Sequence, residues 1–311
     1  MGAPVVFVAH RGAGRGAFAR VWPPVAAALQ VAGIDHEVLP TTRAGAAGEL
    51  ARQAADDGAR AVLAVGGDGT LSEVVDGLLA GRQELPGTLA VGVVPAGRGS
   101  DYARGVARDR DVPAILARLG RWLAGDVSAA RLVDAGEVAF VSGGPRRFIN
   151  AAGVGFSPAV SRRTARLPAA LGAAMYTVAG LVSILDWRER RVRLHWDDGS
   201  LTEEAVESVE LALGPYEGGG MLVAPAADPS DGLFEAVVIG AVGRLEMLTF
   251  SWRVRDGAHL TSPRVRVRRT SRLGIEVIDG RGPLWGQADG ELLGRDPFEF
   301  RVLPSALRFL C

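Results

Sequence analysis

Three glycine-rich turns, two aspartates three apart and a carboxylate pair flanking a glycine are the parts of this sequence able to do chemistry. The stretch AVGGDGTLSE (64–73) ends an apolar run in Gly66-Gly67-Asp68-Gly69-Thr70. Glycines at the end of a strand let the backbone approach a ligand without a Cβ clash. Thr70 and Glu73 have capping-box spacing, which predicts a helix starting there. A helix start presents free N–H groups and the positive end of a dipole, the usual seat of a phosphate. Asp68 is unexpected beside an anion and makes sense if a metal or a donating hydroxyl stands between them. Taken alone, the stretch is equally an ordinary tight turn.

Two further turns share its position after an apolar strand. PAGRGSD (95–101) contributes Gly97 and Arg98. HRGAGRGA (10–17) contributes Gly12 and Gly14 and also fits GxGxxA, with Asp35 and Glu37 about twenty residues on. That is a dinucleotide fingerprint and a rival reading. Three such turns at one sheet edge favour a polyphosphate ligand over coincidence. Later, ADPSDGLF (227–234) sets Asp228 and Asp231 on one turn, an arrangement open to Mg²⁺ or Ca²⁺ or to a plain hairpin. QADGELL (287–293) sets Asp289 and Glu291 about a glycine after an apolar strand. Strand alternation would put both carboxylates on one side, a base with a supporting acid, or else leave them in a solvated turn.

The elements that must position these residues change character near residue 130. Before it, apolar runs at 4–9, 35–39, 59–65 and 88–95 alternate with helical patterns ending near 32, 57, 79 and 124. This alternation predicts a parallel sheet covered on both faces, with ligands at the carboxyl ends of its strands. After it, short β-type runs dominate (146–154, 191–196, 206–213, 234–240, 264–269, 273–278 and 298–303), separated by Asp-Gly turns. They suit an antiparallel sandwich. The expected fold is therefore α/β plus β-rich, with domains at 1–130 and 131–311 and the extreme C-terminus packing back on the first.

Composition removes several functions. The 311 residues are 48% hydrophobic and 23% charged, and the formal net charge is zero. Broad electrostatic capture of nucleic acid or anionic lipid is thereby disfavoured, although a local patch stays open. All 35 basic residues are arginine. A GxxxxGK[ST] loop, a protein-kinase strand lysine and a Schiff-base lysine are therefore impossible. His10, His36, His195 and His259 lack the spacing of a zinc site. Aromatics do not interleave with arginines, which leaves nucleic-acid stacking unsupported. The lone Cys311 forms no internal disulfide, which suits a reducing compartment. Met1–His10 reads as a strand, not a secretory signal. Residues 167–185 carry no charge but are rich in Ala and Gly, and predict a buried helix rather than a membrane span. Arg162, Arg163 and Arg166 before it can meet a membrane surface.

In their order, GGDGTLSEVVDGL, VGVVPAGRGSDYAR, FINAAGVGF, GGGMLVAPAADPSDGLFEAVVI and ADGE resemble the diacylglycerol kinase catalytic-domain family, which includes bacterial lipid kinases and sphingosine kinases. The resemblance spans roughly residues 4–300. GGDGT is shared with NAD kinases and is similar to the phosphofructokinase motif; the GGGM and DGE stretches are more specific. The resemblance implies an NAD kinase-like nucleotide domain, a β-rich second domain and a cleft between them. It implies transfer of the γ-phosphoryl of ATP, with Mg²⁺, to a hydroxyl of a diacylglycerol-like or sphingoid-like lipid. By that resemblance Gly12, Gly14, Thr42, Gly66, Gly67, Asp68, Gly69, Thr70, Gly97 and Arg98 form the nucleotide site. Asp228, Asp231 and the Leu233 carbonyl would hold a metal, and Glu291, supported by Asp289, would be the base. The implied partner is a lipid met at a membrane surface, with no nucleic acid, no transmembrane span and a homodimer possible. The implied place is the cytoplasm, peripheral to the inner face of the membrane.

Other readings are an NAD kinase-like enzyme acting on a soluble substrate, and a catalytically weakened lipid- or nucleotide-binding regulator of the same fold. A dinucleotide oxidoreductase rests on Gly12–Ala17 alone. The chain also departs from the family pattern. His10-Arg11 stands where Asn-Pro is usual, Ala13 where a small hydroxyl residue is usual, and Gly97-Arg98-Gly99-Ser100-Asp101 where Gly-Thr-Gly-Asn-Asp is usual. Arg98 either pairs with a phosphate bidentately or crowds the pocket. Calorimetric titration of ATP·Mg²⁺ into wild type and Arg98→Thr separates the two, and tighter binding by the variant rules out the pairing role.

Overall fold

Alternation along a single strand gives the first half of the chain its two faces. In β1 (Val5–Ala9), Val5, Phe7 and Ala9 point to one side and Val6 and Val8 to the other, all of them buried. The computed structural model describes residues 4–10, 12, 16–97, 100–106, 111–141, 143–164 and 174–311. Beyond β1 come α1 (Ala17–Val31), β2 (His36–Pro40), α2 (Ala46–Asp56), β3 (Ala61–Gly66), α3 (Asp68–Leu79), β4 (Ala90–Pro95), α4 (Asp101–Gly105) and α5 (Val112–Leu123). Strands β4, β3, β1 and β2 pair in parallel in that order. Phe7, Leu63 and Val65 pack under Val25, Leu29, Ile115 and Leu119 from α1 and α5. On the other face, Val8, Val62 and Ala64 pack against Ala47 and Ala51 of α2 and Val75 and Leu78 of α3. Both faces are covered, as apolar parallel strands require.

The second half begins with β5 (Arg131–Phe140), β6 (Arg146–Phe148) and β7 (Ala151–Gly155) and continues through α6 (Phe156–Thr164) and α7 (Ala174–Asp186). It goes on with β8 (Arg190–Trp196), β9 (Leu201–Ala212), β10 (Tyr216–Glu217), β11 (Met221–Leu222), β12 (Phe234–Gly240) and α8 (Arg244–Arg253). It ends with β13 (Val265–Thr270), β14 (Arg272–Val277), β15 (Trp285–Ala288), β16 (Glu291–Arg295) and β17 (Phe298–Phe309). Its pairings are antiparallel, and its interior is Phe148, Phe234, Phe298 and Phe300 with the aliphatic faces of β8 and β9. Strand β17 joins the halves. It pairs antiparallel with β14 and β5, then parallel with β4 through Arg308↔Ala90 and Phe309↔Val91. Hydrogen bonding thus runs without a break from β16 to β2.

Three expectations change. The run expected as one strand over 146–154 divides into β6 and β7, because the N–H groups of Ile149 and Asn150 are taken by a carboxylate. Strand β5 escapes a hydropathy reading because its Asp134 and Glu137 are buried yet paired, Glu137 with Arg147 and Arg301. The helix expected to be buried over 167–185 starts, among the described residues, at Ala174, and only one side of it is covered. Ala179, Ser183 and Ile184 are inside, whereas Leu181, Val182 and Leu185 face out. Among the described residues no helix is long and apolar enough to cross a membrane.

Helices α2 and α3 cross at two glycines. A Cβ on Gly77 would lie 2.1 Å from the Gly48 carbonyl oxygen, and one on Gly48 would lie 2.8 Å from that of Glu73. Both obstacles are backbone, so neither can swing aside. Gly77→Ala is expected to destabilise the fold by about 1–3 kcal/mol through overpacking, read as a lowered thermal midpoint. Gly120→Ala, on an open face of α5, should not.

Candidate active site

The glycine turns meet at one edge of the parallel sheet. Gly97 follows β4, Gly66–Thr70 close β3 and open α3, Gly12 follows β1 and Thr42 follows β2. These residues therefore lie side by side in the order of the strands. Gly14 and Arg98 fall outside the described residues. The backbones of the two central turns touch: a Cβ on Gly97 would lie 2.4 Å from Gly67 Cα. At Gly66, a Cβ would lie 2.3 Å from Thr70 Oγ1. Only glycine fits either position. Thr42 and Gly12 are exposed at the mouth of this edge, and the His10 ring bonds the neighbouring Thr41 hydroxyl at 3.0 Å.

The start of α3 differs from the expected capping box. The helix opens at Asp68, with Gly67 as an extended N-cap that offers no side chain. Thr70 sits within the first turn, folded over Gly66. The Glu73 side chain turns from its own helix to α2, where its carboxylate accepts from the N–H groups of Gly45 (2.9 Å) and Ala47 (3.1 Å). The first-turn N–H groups of α3 therefore have no side-chain acceptor of their own, the condition under which a helix start holds an anion. Asp68 does not need a metal to explain it. Its carboxylate accepts from the Tyr102 N–H at 3.2 Å, at the start of α4.

Across from this edge stands the β15–β16 hairpin. Asp289 and Gly290 form its two-residue turn, both with positive φ (48° and 82°), and Ala288 pairs with Glu291. The two acids are thus separated by a tight turn instead of alternating along one strand, and their tasks diverge. Asp289 accepts from the backbone N–H groups of Ile149 (3.0 Å), Asn150 (3.0 Å) and Ala151 (3.1 Å). The Ser72 hydroxyl, on the first turns of α3, adds a further hydrogen bond. Burial raises the Asp289 pKa while these donors oppose the rise. With its oxygens committed to backbone, Asp289 holds the hairpin against α3.

Glu291 carries the accessible carboxylate, its side chain 38% exposed. It pairs with Arg146, whose Nε lies 3.2 Å from Asp76 of α3. Asp76 also accepts from the Arg147 N–H at 2.7 Å. Arg146 thereby tethers Glu291 to the helix that begins at GGDGT. Burial is the main cause that raises the Glu291 pKa; Arg146 opposes it, while Glu73 and Asp289 add to it. A carboxylate with a raised pKa, tethered through Arg146 to Asp76 in the second half of α3, has the properties of a general base. Arg146 was not singled out from the sequence, although the Arg146-Arg147 pair just before FINAAG was its visible signal.

The 228–233 turn lies on the β5–β17 ladder. Asp228 pairs with Arg131 at 2.8 Å and accepts from the Ser230 N–H, and Asp231 pairs with Arg269. The Leu233 N–H donates to Asp231 at 2.9 Å. Asp134 anchors the turn by accepting from Gly232 and Ser305, each at 2.7 Å. Both aspartates are thus already balanced by guanidinium groups. Among the described residues no cluster of His, Cys, Asp or Glu forms a metal cage. As arranged, Asp228, Asp231 and Leu233 do not fit a divalent ion unless Arg131 and Arg269 move away.

Residues 4–133 match the family model for the diacylglycerol kinase catalytic domain, and residues 150–311 match the YegS C-terminal NAD kinase beta sandwich-like domain. The chain belongs to the diacylglycerol kinase and YegS-like lipid kinase family. It is 30% identical over 287 residues to "Probable lipid kinase YegS-like" of Pseudomonas aeruginosa, covering 91% of this chain and 86% of that protein. It is 29% identical over 303 residues to "Diacylglycerol kinase" of Mycobacterium tuberculosis, covering 96% of this chain and 91% of that one. The fold resembles the solved structure of a diacylglycerol kinase from Bacillus anthracis str. Sterne, with a TM-score of 0.69 at 18% identity, covering 99% and 96% of the two chains. The shared fold agrees with an α/β part followed by a β sandwich-like part.

A second acidic group flanks the hairpin. Gln287 donates to Glu217 at 2.6 Å and accepts from the Gly290 N–H at 2.7 Å. Burial pushes Glu217 up to about 7, and burial beside Glu217 also raises Glu210. A carboxyl whose pKa is higher in the folded chain binds extra protons there between its ordinary value and about 7. Stability therefore falls as pH rises through that window. Glu217→Gln is expected to flatten the decline of the thermal midpoint between pH 5 and 7.5, checked by scanning calorimetry on both proteins.

Proposed function

We propose that this chain is an ATP-dependent lipid kinase, with Glu291 as the base that accepts the acceptor hydroxyl's proton. The observation that carries this reading is the placement of Glu291. Its carboxylate, raised by burial, is tethered through Arg146 and Asp76 to the helix whose glycine-framed start meets the turns after β1, β2 and β4. Phosphoryl transfer asks a protein mainly to position phosphates and to offer a base, and no lysine is obligatory. The nucleotide phosphates would lie over the N–H groups at the start of α3, which no side chain caps. As the acceptor oxygen bonds to the γ-phosphorus, the bond from that phosphorus to the β,γ-bridging oxygen breaks. ADP leaves, and the hydroxyl proton passes to Glu291. Mg²⁺ bound with ATP would supply charge neutralisation on the phosphates.

The names of the relatives support a lipid acceptor, diacylglycerol-like in the first instance. They do not favour the NAD kinase-like alternative, because relatives named as lipid or diacylglycerol kinases align along nearly the whole chain. A peripheral encounter with the cytoplasmic face of a membrane is the setting this acceptor implies.

Glu291→Gln is expected to lower kcat by about 10²–10⁴-fold with the thermal midpoint and ATP affinity nearly unchanged. Full turnover in that variant would remove the base assignment. The acid limb of kcat/KM against pH should lie above the ordinary carboxylate range, because the base must be ionised to act. Since Arg146 lowers the Glu291 pKa, Arg146→Ala should move that limb to higher pH. Transfer from [γ-³²P]ATP across a set of lipid extracts, with product identification, names the acceptor.

A further inference from the structure

Helices α7 and α8 lie against each other and turn apolar residues outward. On α7 these are Leu181, Val182 and Leu185, at 50%, 42% and 69% exposure; on α8 they are Leu245 and Trp252, at 82% and 72%. Positions 181, 182 and 185 lie on one face of a helix, as do 245 and 252. The opposite sides are filled inward by Ala179 and Ile184 on α7 and by Met247 and Phe250 on α8. The outward stripe is therefore an addition to the core packing and not a part of it. Singly exposed apolar residues are unremarkable, but five on the outward sides of two helices that pack together mark an interaction surface.

Charge selects the partner. The described residues of 156–191 and 244–256 carry eight arginines against four carboxylates, in a chain whose formal net charge is zero. Of these arginines, Arg188 and Arg191 just past α7, Arg244 at the start of α8 and Arg255 just past it are exposed. Leucines and a tryptophan at the centre with arginines at the edges match the layering of a bilayer interface, apolar beneath anionic headgroups. The position also fits. Helix α6 packs on α7 with one side and on β15 and β16 with another, and its Arg162 stacks over Trp285 of β15 at 5.3 Å. One helix therefore separates the apolar stripe from the hairpin that bears Glu291.

We propose that the outward faces of α7 and α8 are the surface on which this chain docks onto an anionic lipid bilayer; this inference rests on the lipid-acceptor reading above. The docked stripe holds the hairpin near the bilayer, so that an acceptor reaches the site without crossing water. Docking of this kind is reversible, because among the described residues neither helix is long and apolar enough to span the bilayer.

Co-sedimentation with phosphatidylcholine vesicles, with and without phosphatidylglycerol, tests the surface independently of any activity. The wild type should bind, and bind more tightly when phosphatidylglycerol is present. Leu245→Asp with Trp252→Ala should weaken binding by about tenfold or more. Arg188→Gln with Arg244→Gln should remove most of the preference for the anionic vesicles. In the same variants, turnover of a monodisperse short-chain diacylglycerol should stay within about twofold of wild type, which also shows that they fold. Vesicle binding unchanged in both pairs of variants would overturn the proposal. So would light scattering that finds a wild-type dimer converted to monomer by Leu245→Asp, because a second copy would then be the occupant. Loss of turnover on every lipid with vesicle binding intact would instead count against the kinase reading alone.

Discussion

The Asp289 carboxylate, receiving three consecutive backbone N–H groups, is the constraint from which the rest of the site follows. A carboxylate that accepts several charge-assisted hydrogen bonds is fixed in place, and so is the chain that donates them. Here the donors are Ile149, Asn150 and Ala151, at the break between β6 and β7. The positive φ of Asp289 is maintained by this grip, which turns its side chain away from the hairpin axis and into the backbone of another strand. Because the hairpin cannot slide, Ala288 stays opposite Glu291, and Glu291 stays within reach of Arg146. Removing the negative charge would leave three buried donors poorly served, at a cost comparable to several ordinary hydrogen bonds.

A second carboxylate performs the same kind of task at a distance. Asp134 accepts from Ser305 and Gly232, so it stitches an irregular stretch of β17 to the 228–233 turn. The register of β17 against β5 shifts between Leu303 and Leu307, where Ser305 takes a positive φ of 52°. Unpaired N–H groups at such an irregularity would be costly to bury, and Asp134 supplies the acceptor that a neighbouring strand does not. The acidic turn that reads in the sequence as a metal site is thus joined, in the folded chain, to backbone and arginine partners.

The strands of the parallel half were legible to within about two residues, because β1, β3 and β4 are continuous apolar runs with helical patterns between them, whereas the short α4 was not. The β-strands of the second half were legible where apolar residues dominate. They were lost where buried ion pairs interrupt the pattern, as with Asp134 and Glu137 in β5. The grouping of glycine turns at one sheet edge followed from the α/β rule alone. What could not be read was which acid serves which partner. Thr70 and Glu73 have the spacing of a capping box, yet Glu73 caps α2, a contact made only once α2 and α3 cross at Gly48 and Gly77. The spacing of Asp289 and Glu291 likewise did not show their partners: the turn between them sends one to backbone and the other to Arg146. Spacing along a chain constrains local geometry; long-range partners are decided by packing.

The pairing of Arg308 with Ala90 carries a consequence for how the protein is made. Strand β4 is synthesised early, and the strand that covers its open side is synthesised some two hundred residues later. Until then the Ala90–Val91 end of that sheet edge lacks the strand that pairs with it in the folded chain. An open apolar edge of that kind recruits foreign strands readily. The same far-reaching strand that unites the two halves leaves the nascent first half an incomplete object until the second arrives.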